Sequence, residues 1–133
     1  MKKYLLILSI CAASFCSTAI AQTRDWVQIP NETIYYDALS VRQDHENENI
    51  FHVLVVHHPY STNNQIGSTL AGIDINCPDN LSRLSGLLIF YSQKFAQGQK
   101  MMFSEEKGTP GPWHPIKEEY PIESFLFEKL CPQ

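Results

Sequence analysis

Two of the four cysteines in this 133-residue chain limit its fold more than any other feature. Cys77 lies mid-chain and Cys131 is the third residue from the C-terminus, whereas Cys11 and Cys16 lie in a segment that we expect to be removed. In an oxidising compartment, an even pair in a small domain indicates one disulfide. Two free thiols are the alternative, but there is no C-x-x-C motif, and neither cysteine has a histidine close to it in sequence.

The N-terminus has the three parts of a secretory signal peptide. Two lysines precede an apolar run that ends near Phe15, and small residues then lead to the A-I-A sequence at 19–21. The apolar run is too short to cross a bilayer, which takes about 20 residues, so we expect no membrane span. We predict cleavage after Ala21, which gives a signal peptide at 1–21 and a single mature domain at 22–133.

A lipid anchor is the alternative role for the two leader cysteines. Enzymes that process lipoproteins take a small residue just before the cysteine, but Ile10 precedes Cys11 and Phe15 precedes Cys16. We therefore expect both cysteines to be discarded with the leader. The protein is then exported without an anchor, to the periplasm, to the outer-membrane surface or to the medium.

The charge of the mature domain excludes two classes of partner. Removing two leader lysines from ten basic residues leaves eight against fourteen acidic residues, a net charge of about −6 with neutral histidine. The basic residues are scattered singly along the chain. Neither nucleic acid, which needs a basic stripe, nor an anionic lipid surface is an expected partner.

Short runs rich in β-branched and aromatic residues open the mature domain, which favours strands. DWVQIP and TIYYDALSVR, separated by Pro30–Asn31, predict a hairpin-like start. IFHVLVVHH predicts a strand over Ile50–His58 that is covered on both faces and ends at Pro59. GSTLAGIDINC alternates as a strand does, with Gly67 and Gly72 at bends or bulges.

RLSGLLIFYSQKFAQGQ is the longest candidate strand, with a helix as the alternative. Leu87, Ile89 and Tyr91 fall on one face, and the run Ile-Phe-Tyr-Ser favours a strand that Gly98 closes. QKMMFSEE then supplies the return strand of a hairpin. Beyond it, KGTPGPWHPIKEEYP carries four prolines and two glycines and predicts an irregular crossover.

The C-terminal segment IESFLFEKLC predicts one amphipathic helix of about ten residues, with a proline in its first turn. Phe125, Leu126 and Leu130 form its core face. Because so short a helix is marginal in water on its own, it needs a tertiary contact. A bond from Cys131 to Cys77 would tether it to a mid-chain strand, and closing a loop of about 55 residues contributes about 4 kcal/mol on the chain-entropy model.

Several short motifs follow one another in a recognisable order. They are DWVQI, YYD, DINC, FYS, PWHPI and a terminal helix that ends in cysteine, and together they span Trp26 to Cys131. This order resembles that of the surface-adhesin protein E family of Gram-negative bacteria.

The resemblance implies an α+β fold, in which a single antiparallel sheet of about six strands carries a short C-terminal helix. The helix is expected on the concave face, tethered by a disulfide between Cys77 and Cys131. The resemblance also implies a surface protein that can dimerise, needs no cofactor and binds host extracellular-matrix or serum proteins such as vitronectin, laminin and plasminogen. No binding residue is carried over from the family.

Two other functions compete with adhesion. Without a lipid anchor, a soluble periplasmic protein with a structural or small-ligand role is the second hypothesis, with the groove between sheet and helix as its site. An enzyme is the third, because Ser85 in RLSGL only partly resembles a G-x-S-x-G motif. Asp37 and Asp74 lie beside turns or strand ends, where we expect solvated acids. We therefore predict no catalytic residue.

Five histidines invite a metal hypothesis, namely His45, His52, His57, His58 and His114. On one strand, His52 and His58 share a face but lie about 20 Å apart, too far to bind one zinc ion. We predict exposed or strand-edge histidines and no metal site.

Three aromatic residues are the candidate binding residues, because aromatic side chains are enriched at interface hot spots. Trp113 lies between prolines in GPWHP, and packing in the core between sheet and helix is its alternative role. Tyr35 and Tyr36 point to opposite faces of a strand, so we expect one to be buried and the other exposed.

Overall fold

The computed structural model describes residues 23–59, 65–101 and 108–133. The predicted signal peptide at 1–21 lies outside these residues, as does the end of the predicted return strand. The strands are β1 (Trp26–Gln28), β2 (Ile34–Asp37), β3 (Arg42–Gln43), β4 (Ile50–His57), β5 (Ser68–Asn76), β6 (Leu81–Gln93), β7 (Gln97–Met101) and β8 (His114–Pro115). A 3-10 turn, η1 (Ala38–Ser40), precedes β3, and the helix α1 (Pro121–Leu130) follows β8.

All eight strands form one antiparallel sheet. Its main path is β1-β2-β4-β5-β6-β7, and the two-residue strands β3 and β8 pair beside β4 and β6. The predicted six-stranded antiparallel sheet with a C-terminal helix is therefore confirmed, with two short additional strands. The predicted hairpin-like start is also confirmed, since β1 pairs with β2 around Asn31, whose left-handed backbone (φ 63°) asparagine tolerates.

The centre of the sheet is formed by β4 and β5, the strands with the most β-branched residues. Val53 and Val55 of β4 lie opposite Ile73 and Ala71 of β5. Val56, the next residue after Val55, points to the opposite face and is also fully buried, so β4 is covered on both faces as predicted. It ends at His57, just before Pro59, because proline cannot continue the ladder of hydrogen bonds.

The pairing of β5 with β6 contains the bulge that the glycines predict. Ala71 pairs with Leu88, but Ile73 pairs with Leu84, so the register shifts at Gly72. A Cβ atom on this residue would lie 2.0 Å from Ser85 Oγ. Any larger residue at this position would therefore displace the Ser85 hydroxyl.

The turn after β6 differs from the prediction. The strand ends at Gln93, and Gly98 lies inside β7 instead of closing β6. The turn is made by Phe95 and Ala96, which both adopt left-handed backbone conformations (φ 57° and 55°). Side chains from distant strands hold this turn, which is why local sequence did not indicate it.

The helix packs on one side of the sheet and is held there covalently. Leu126 of α1 is fully buried in a core with residues of β4 and β5, and Phe125 and Leu130 pack against this core. A disulfide joins Cys77 to Cys131, with 5.5 Å between the Cα atoms. The predicted tether is confirmed. We call this side of the sheet the helix face, and the side that carries His52 and Asp74 the distal face.

Candidate binding site on the distal face

The distal face contains a cleft of about 520 Å³ between η1 and the strands β3 to β6. Its apolar lining comes from Leu39, Leu54 and Leu87, and its acidic lining from Asp37 and Asp74. Alternation along β5 explains the position of Asp74: Ile73 and Ile75 enter the core of the helix face, so the residue between them must point to the distal face.

Polar side chains form a row across the middle of this face. Arg42, His52, Asp74 and Arg83 are successive cross-strand partners on β3, β4, β5 and β6. We call these four residues the polar row. Asp74, whose side chain is only 2% exposed, is its centre: one carboxylate oxygen lies 2.5 Å from His52 Nδ1, and the other accepts a hydrogen bond from Arg83 Nε at 2.8 Å.

His52 connects the polar row to the loop before β4. Its Nε2 atom lies 2.8 Å from Asp44 Oδ2, so each ring nitrogen faces a carboxylate. The hydrogen bond from His52 and the N–H groups of Glu46 and Asn47 lower the pKa of Asp44 to about 2.

Arg83 ends the polar row against an aromatic ring. Its guanidinium carbon lies 4.3 Å from the centroid of the Trp113 ring, a cation–π arrangement. Trp113 is half-buried and belongs to the distal face. The alternative that placed it in the core between sheet and helix is therefore wrong.

Asp37, the second acid of the cleft, is 1% exposed. It accepts hydrogen bonds from Arg24 Nη1 and the Asp25 N–H, both at 3.0 Å, and from the Leu39 N–H at 3.1 Å. The expectation that Asp37 and Asp74 are solvated is wrong. Residues from elsewhere in the chain bury each carboxylate, and an arginine pairs with it. A position beside a turn or a strand end does not indicate such contacts.

An aromatic cluster covers the other end of the distal face, where Phe95 lies at its centre. Its ring centroid is 4.4 Å from that of His58, 5.1 Å from that of Tyr35 and 6.5 Å from that of Trp26. His58 Nε2 accepts a hydrogen bond from the Phe95 N–H at 3.1 Å, so that ring nitrogen carries no proton. Burial, helped by Lys94 and His57, lowers the pKa of His58.

The three candidate binding residues are not brought together. Tyr35 lies in the aromatic cluster, whereas Tyr36 faces the helix, with its ring centroid 6.0 Å from that of Phe125. Their opposite orientation is confirmed, but both are half-buried instead of one buried and one exposed. Trp113 lies beside β6, several strands away from Tyr35.

The histidine prediction is wrong for three residues. His58 is buried, and His52 and His57 are half-buried, because β4 is a central strand and not an edge. His52 and His58 share the distal face, as expected from alternation. In the three described segments, no group of three or more His, Cys, Asp or Glu side chains is arranged to hold a metal ion.

The groove expected between sheet and helix is not the site that we describe. Leu126 and Ile116 fill that interface together with β-branched residues of the sheet. The cleft lies on the opposite face, where half-buried apolar side chains surround buried charges.

Comparison with known proteins places this fold in a family. The family model described as surface-adhesin protein E matches residues 26–132. The chain belongs to the surface-adhesin protein E family. Family membership supports an adhesin of the bacterial surface, which is consistent with export, and together with the fold it favours a non-enzymatic protein.

Solved structures of the same family share the architecture. A crystal structure of protein E from non-typeable Haemophilus influenzae superposes with a TM-score of 0.60 at 16% identity, covering 77% of this chain and 75% of that chain. A second structure of Haemophilus influenzae protein E gives a TM-score of 0.57 at 16% identity, covering 83% and 92%. At this identity the likeness concerns the fold alone. No curated protein sequence matches the chain.

Within residues 23–59, 65–101 and 108–133, no helix has the length and apolar character needed to cross a bilayer.

Proposed function

We propose that this chain is an exported, non-enzymatic adhesin that binds another protein through the distal face of its sheet. The proposal rests on one observation, which is that the two faces of the sheet are covered differently. The core of the helix face, with Leu126 fully buried, is closed by α1 and the disulfide. The distal face carries a cleft and a half-buried apolar surface, which is typical of a recognition site.

The ligands that the family resemblance implies are host matrix or serum proteins such as vitronectin, laminin and plasminogen. Binding by surface complementarity needs no cofactor. Tyr35 and Trp113 lie on the distal face and are proposed contact residues, whereas Tyr36 would contact a partner only from the helix face. A signal peptide at 1–21 would supply the export step, and the homodimer stays a prediction.

Binding of the purified 22–133 domain to immobilised vitronectin, laminin and plasminogen tests the proposal. We expect saturable binding to at least one of them by biolayer interferometry, and none to serum albumin. The double variant Cys77→Ser/Cys131→Ser, which lacks the tether, is the control for dependence on the folded domain. Absence of binding to all three proteins would contradict the host ligands proposed here.

A soluble periplasmic protein that binds a small ligand is the second candidate, because the cleft combines buried charges with an apolar lining. Location separates the two. Digestion of the protein on intact cells by added protease supports adhesion, whereas protection until osmotic shock supports the periplasmic role.

A further inference from the structure

The rim of the cleft exposes a leucine to solvent. Leu39 of η1 is 63% exposed, more than any other large apolar side chain in the described residues. It also lines the cleft. A single exposed leucine is ordinary on a protein surface, so its meaning depends on how firmly it is held.

Buried polar groups hold this leucine in place. The carboxylate of Asp37 accepts a hydrogen bond from the Leu39 N–H at 3.1 Å. The Ser40 hydroxyl donates to the Asp37 carbonyl at 2.7 Å and accepts from the Leu54 N–H at 2.8 Å. The backbone of η1 is thus tied to β2 and β4 on either side of the exposed side chain. Such preorganisation lowers the entropic cost of binding a partner.

Arg42 lies three residues further along and lines the same cleft. Its side chain is exposed and makes no ion pair or hydrogen bond with any part of the chain that the structure describes. Arg24 and Arg83 differ, because they pair with Asp37 and Asp74. Arg42 therefore adds unmatched positive charge.

The neighbour of Arg42 has its own carboxylates. Arg42 is the cross-strand partner of His52, whose two ring nitrogens face Asp44 and Asp74. Arg42 is thus a cation at the rim of the cleft without a carboxylate partner, in a domain whose net charge is about −6.

The floor of the cleft is apolar. Leu54 and Leu87 line it, and the absence of a side chain on Gly72 leaves the Ser85 hydroxyl accessible over the backbone. Arg24 is shared with a second depression of about 580 Å³, which is also lined by Trp26, Tyr91 and Phe95. Two depressions that adjoin at Arg24 suit an extended segment.

We propose that the cleft binds an extended acidic segment of a partner protein, in which a glutamate or aspartate side chain lies beside aliphatic ones. Arg42 takes the carboxylate and Leu39 packs on a neighbouring aliphatic side chain, and we call these two residues the anchor pair. A guanidinium–carboxylate contact is strong and directional, and an aliphatic neighbour buries Leu39. This inference rests on the proposed protein-binding function and specifies the chemistry of its partner.

Three capped pentapeptides test the inference without a host protein. The probe is acetyl-Ser-Leu-Glu-Leu-Ser-amide; the same peptide with glutamine lacks the charge, and acetyl-Ser-Ser-Glu-Ser-Ser-amide lacks the apolar groups. In a titration of the isotope-labelled 22–133 domain followed by NMR, we expect the probe to give saturable shifts at residues 38–43 and at Gly72, Ser85 and Leu87. Both control peptides should bind about fivefold more weakly at the same residues.

Variants of the anchor pair connect this binding to the cleft. Arg42→Gln should weaken binding of the probe about fivefold and abolish the preference for glutamate over glutamine. Leu39→Ser should weaken it by a similar factor. Leu84→Ser, which changes another exposed leucine (54%) on the strand face opposite the cleft, is the matched control and should have no effect.

The outcomes separate this inference from the proposed function. Shifts outside the cleft, no saturable shift, or equal binding of all three peptides would each overturn it, whatever the host proteins do. It is also overturned when the domain binds a host protein and both anchor-pair variants retain that affinity. Failure on the host panel with cleft binding of the acidic probe contradicts only the named host ligands.

Discussion

The helix face and the distal face of this sheet are built by the same strands and hold together in different ways. Alternate residues of β4 and β5 enter an apolar core under α1. The residues between them, which include His52 and Asp74, point to the distal face. The helix face excludes water with packing and a disulfide. The distal face keeps charges and matches them in pairs.

The difference teaches where stability and recognition lie. Burying apolar surface stabilises the fold directly, whereas buried ion pairs contribute little net stability and are costly mainly when one partner is lost. We therefore expect damage to the helix face to unfold the protein. Damage to the distal face should act mainly on local order, pH response and binding.

Loss of the disulfide should have the largest effect. Because Cys77 and Cys131 are separated by 54 residues, Cys131→Ser should remove about 4 kcal/mol of stability and lower the melting temperature by about 15 °C. Calorimetry with and without reductant checks this: reductant should lower the wild-type value and leave the variant unchanged. Cys77→Ser/Cys131→Ser should lose little more than the single variant, and equal wild-type melting temperatures in both buffers would contradict the prediction.

A cavity under the helix should come next. Leu126 is fully buried, so Leu126→Ala should cost about 3 kcal/mol in urea unfolding, through lost burial and the cavity left behind. Leu84→Ala removes the same atoms from a 54% exposed site and should cost less than about 0.5 kcal/mol. Similar losses in the two variants would show that α1 does not close the helix face as described.

Removal of the central acid of the distal face should cost less. Asp74→Asn leaves His52 and Arg83 facing a neutral group, but both side chains are partly solvated, at 19% and 25% exposed. We expect a loss of about 2 kcal/mol, with NMR shifts concentrated in the loop at 44–49 and at Trp113. Asp79→Asn, at an exposed acid, is the control and should change the free energy of unfolding by less than about 0.5 kcal/mol.

Acid should weaken the distal face in two separate steps. The pKa of His58 is lowered from 6.5, so the unfolded chain binds its proton more readily. The contribution of neutral His58 to the free energy of unfolding is complete above pH 6.5, and it is lost as pH falls from there towards the pKa of His58 in the folded protein. Asp44, with its pKa lowered from 3.8 to about 2, contributes fully above pH 3.8 and loses its contribution only between those values.

The His58 step has a structural readout. Protonation removes the acceptor of the Phe95 N–H and places charge among Tyr35, Phe95, His57 and Lys94. Amide exchange at Phe95 and Ala96 should therefore accelerate as pH falls below 6.5, after correction for intrinsic rates. His58→Gln should flatten this dependence, whereas His45→Gln, at an exposed site, should not.

The sequence predicts the helix face better than the distal face. The run Ile73-Asp74-Ile75 predicts a strand with two apolar side chains on one face, and the spacing of Phe125, Leu126 and Leu130 predicts a helix. These signals are local. A cysteine pair then connects the two elements, because only two cysteines remain once the leader is set aside.

The distal face depends on contacts between residues far apart in sequence. The match of Asp74 with His52 and Arg83 requires the registers of β4, β5 and β6, which no local pattern contains. The turn at Phe95 and Ala96 is likewise held by side chains from other strands, since the Ala96 N–H donates to Ser68 Oγ at 2.9 Å. An acid flanked by isoleucines in a central strand was the available signal, and it indicates a buried charge with a partner.

The polar row also governs which misfolded sheets are accessible. Because side chains alternate with a period of two, sliding β5 by one residue along β4 would bring Asp74 under α1 and expose Ile73 and Ile75 to water. An unpaired carboxylate would then enter an apolar layer, which costs several kcal/mol. The charges of the polar row add little to the stability of the native state, but they raise the free energy of sheets with a shifted register. The polar row therefore favours one register over the others.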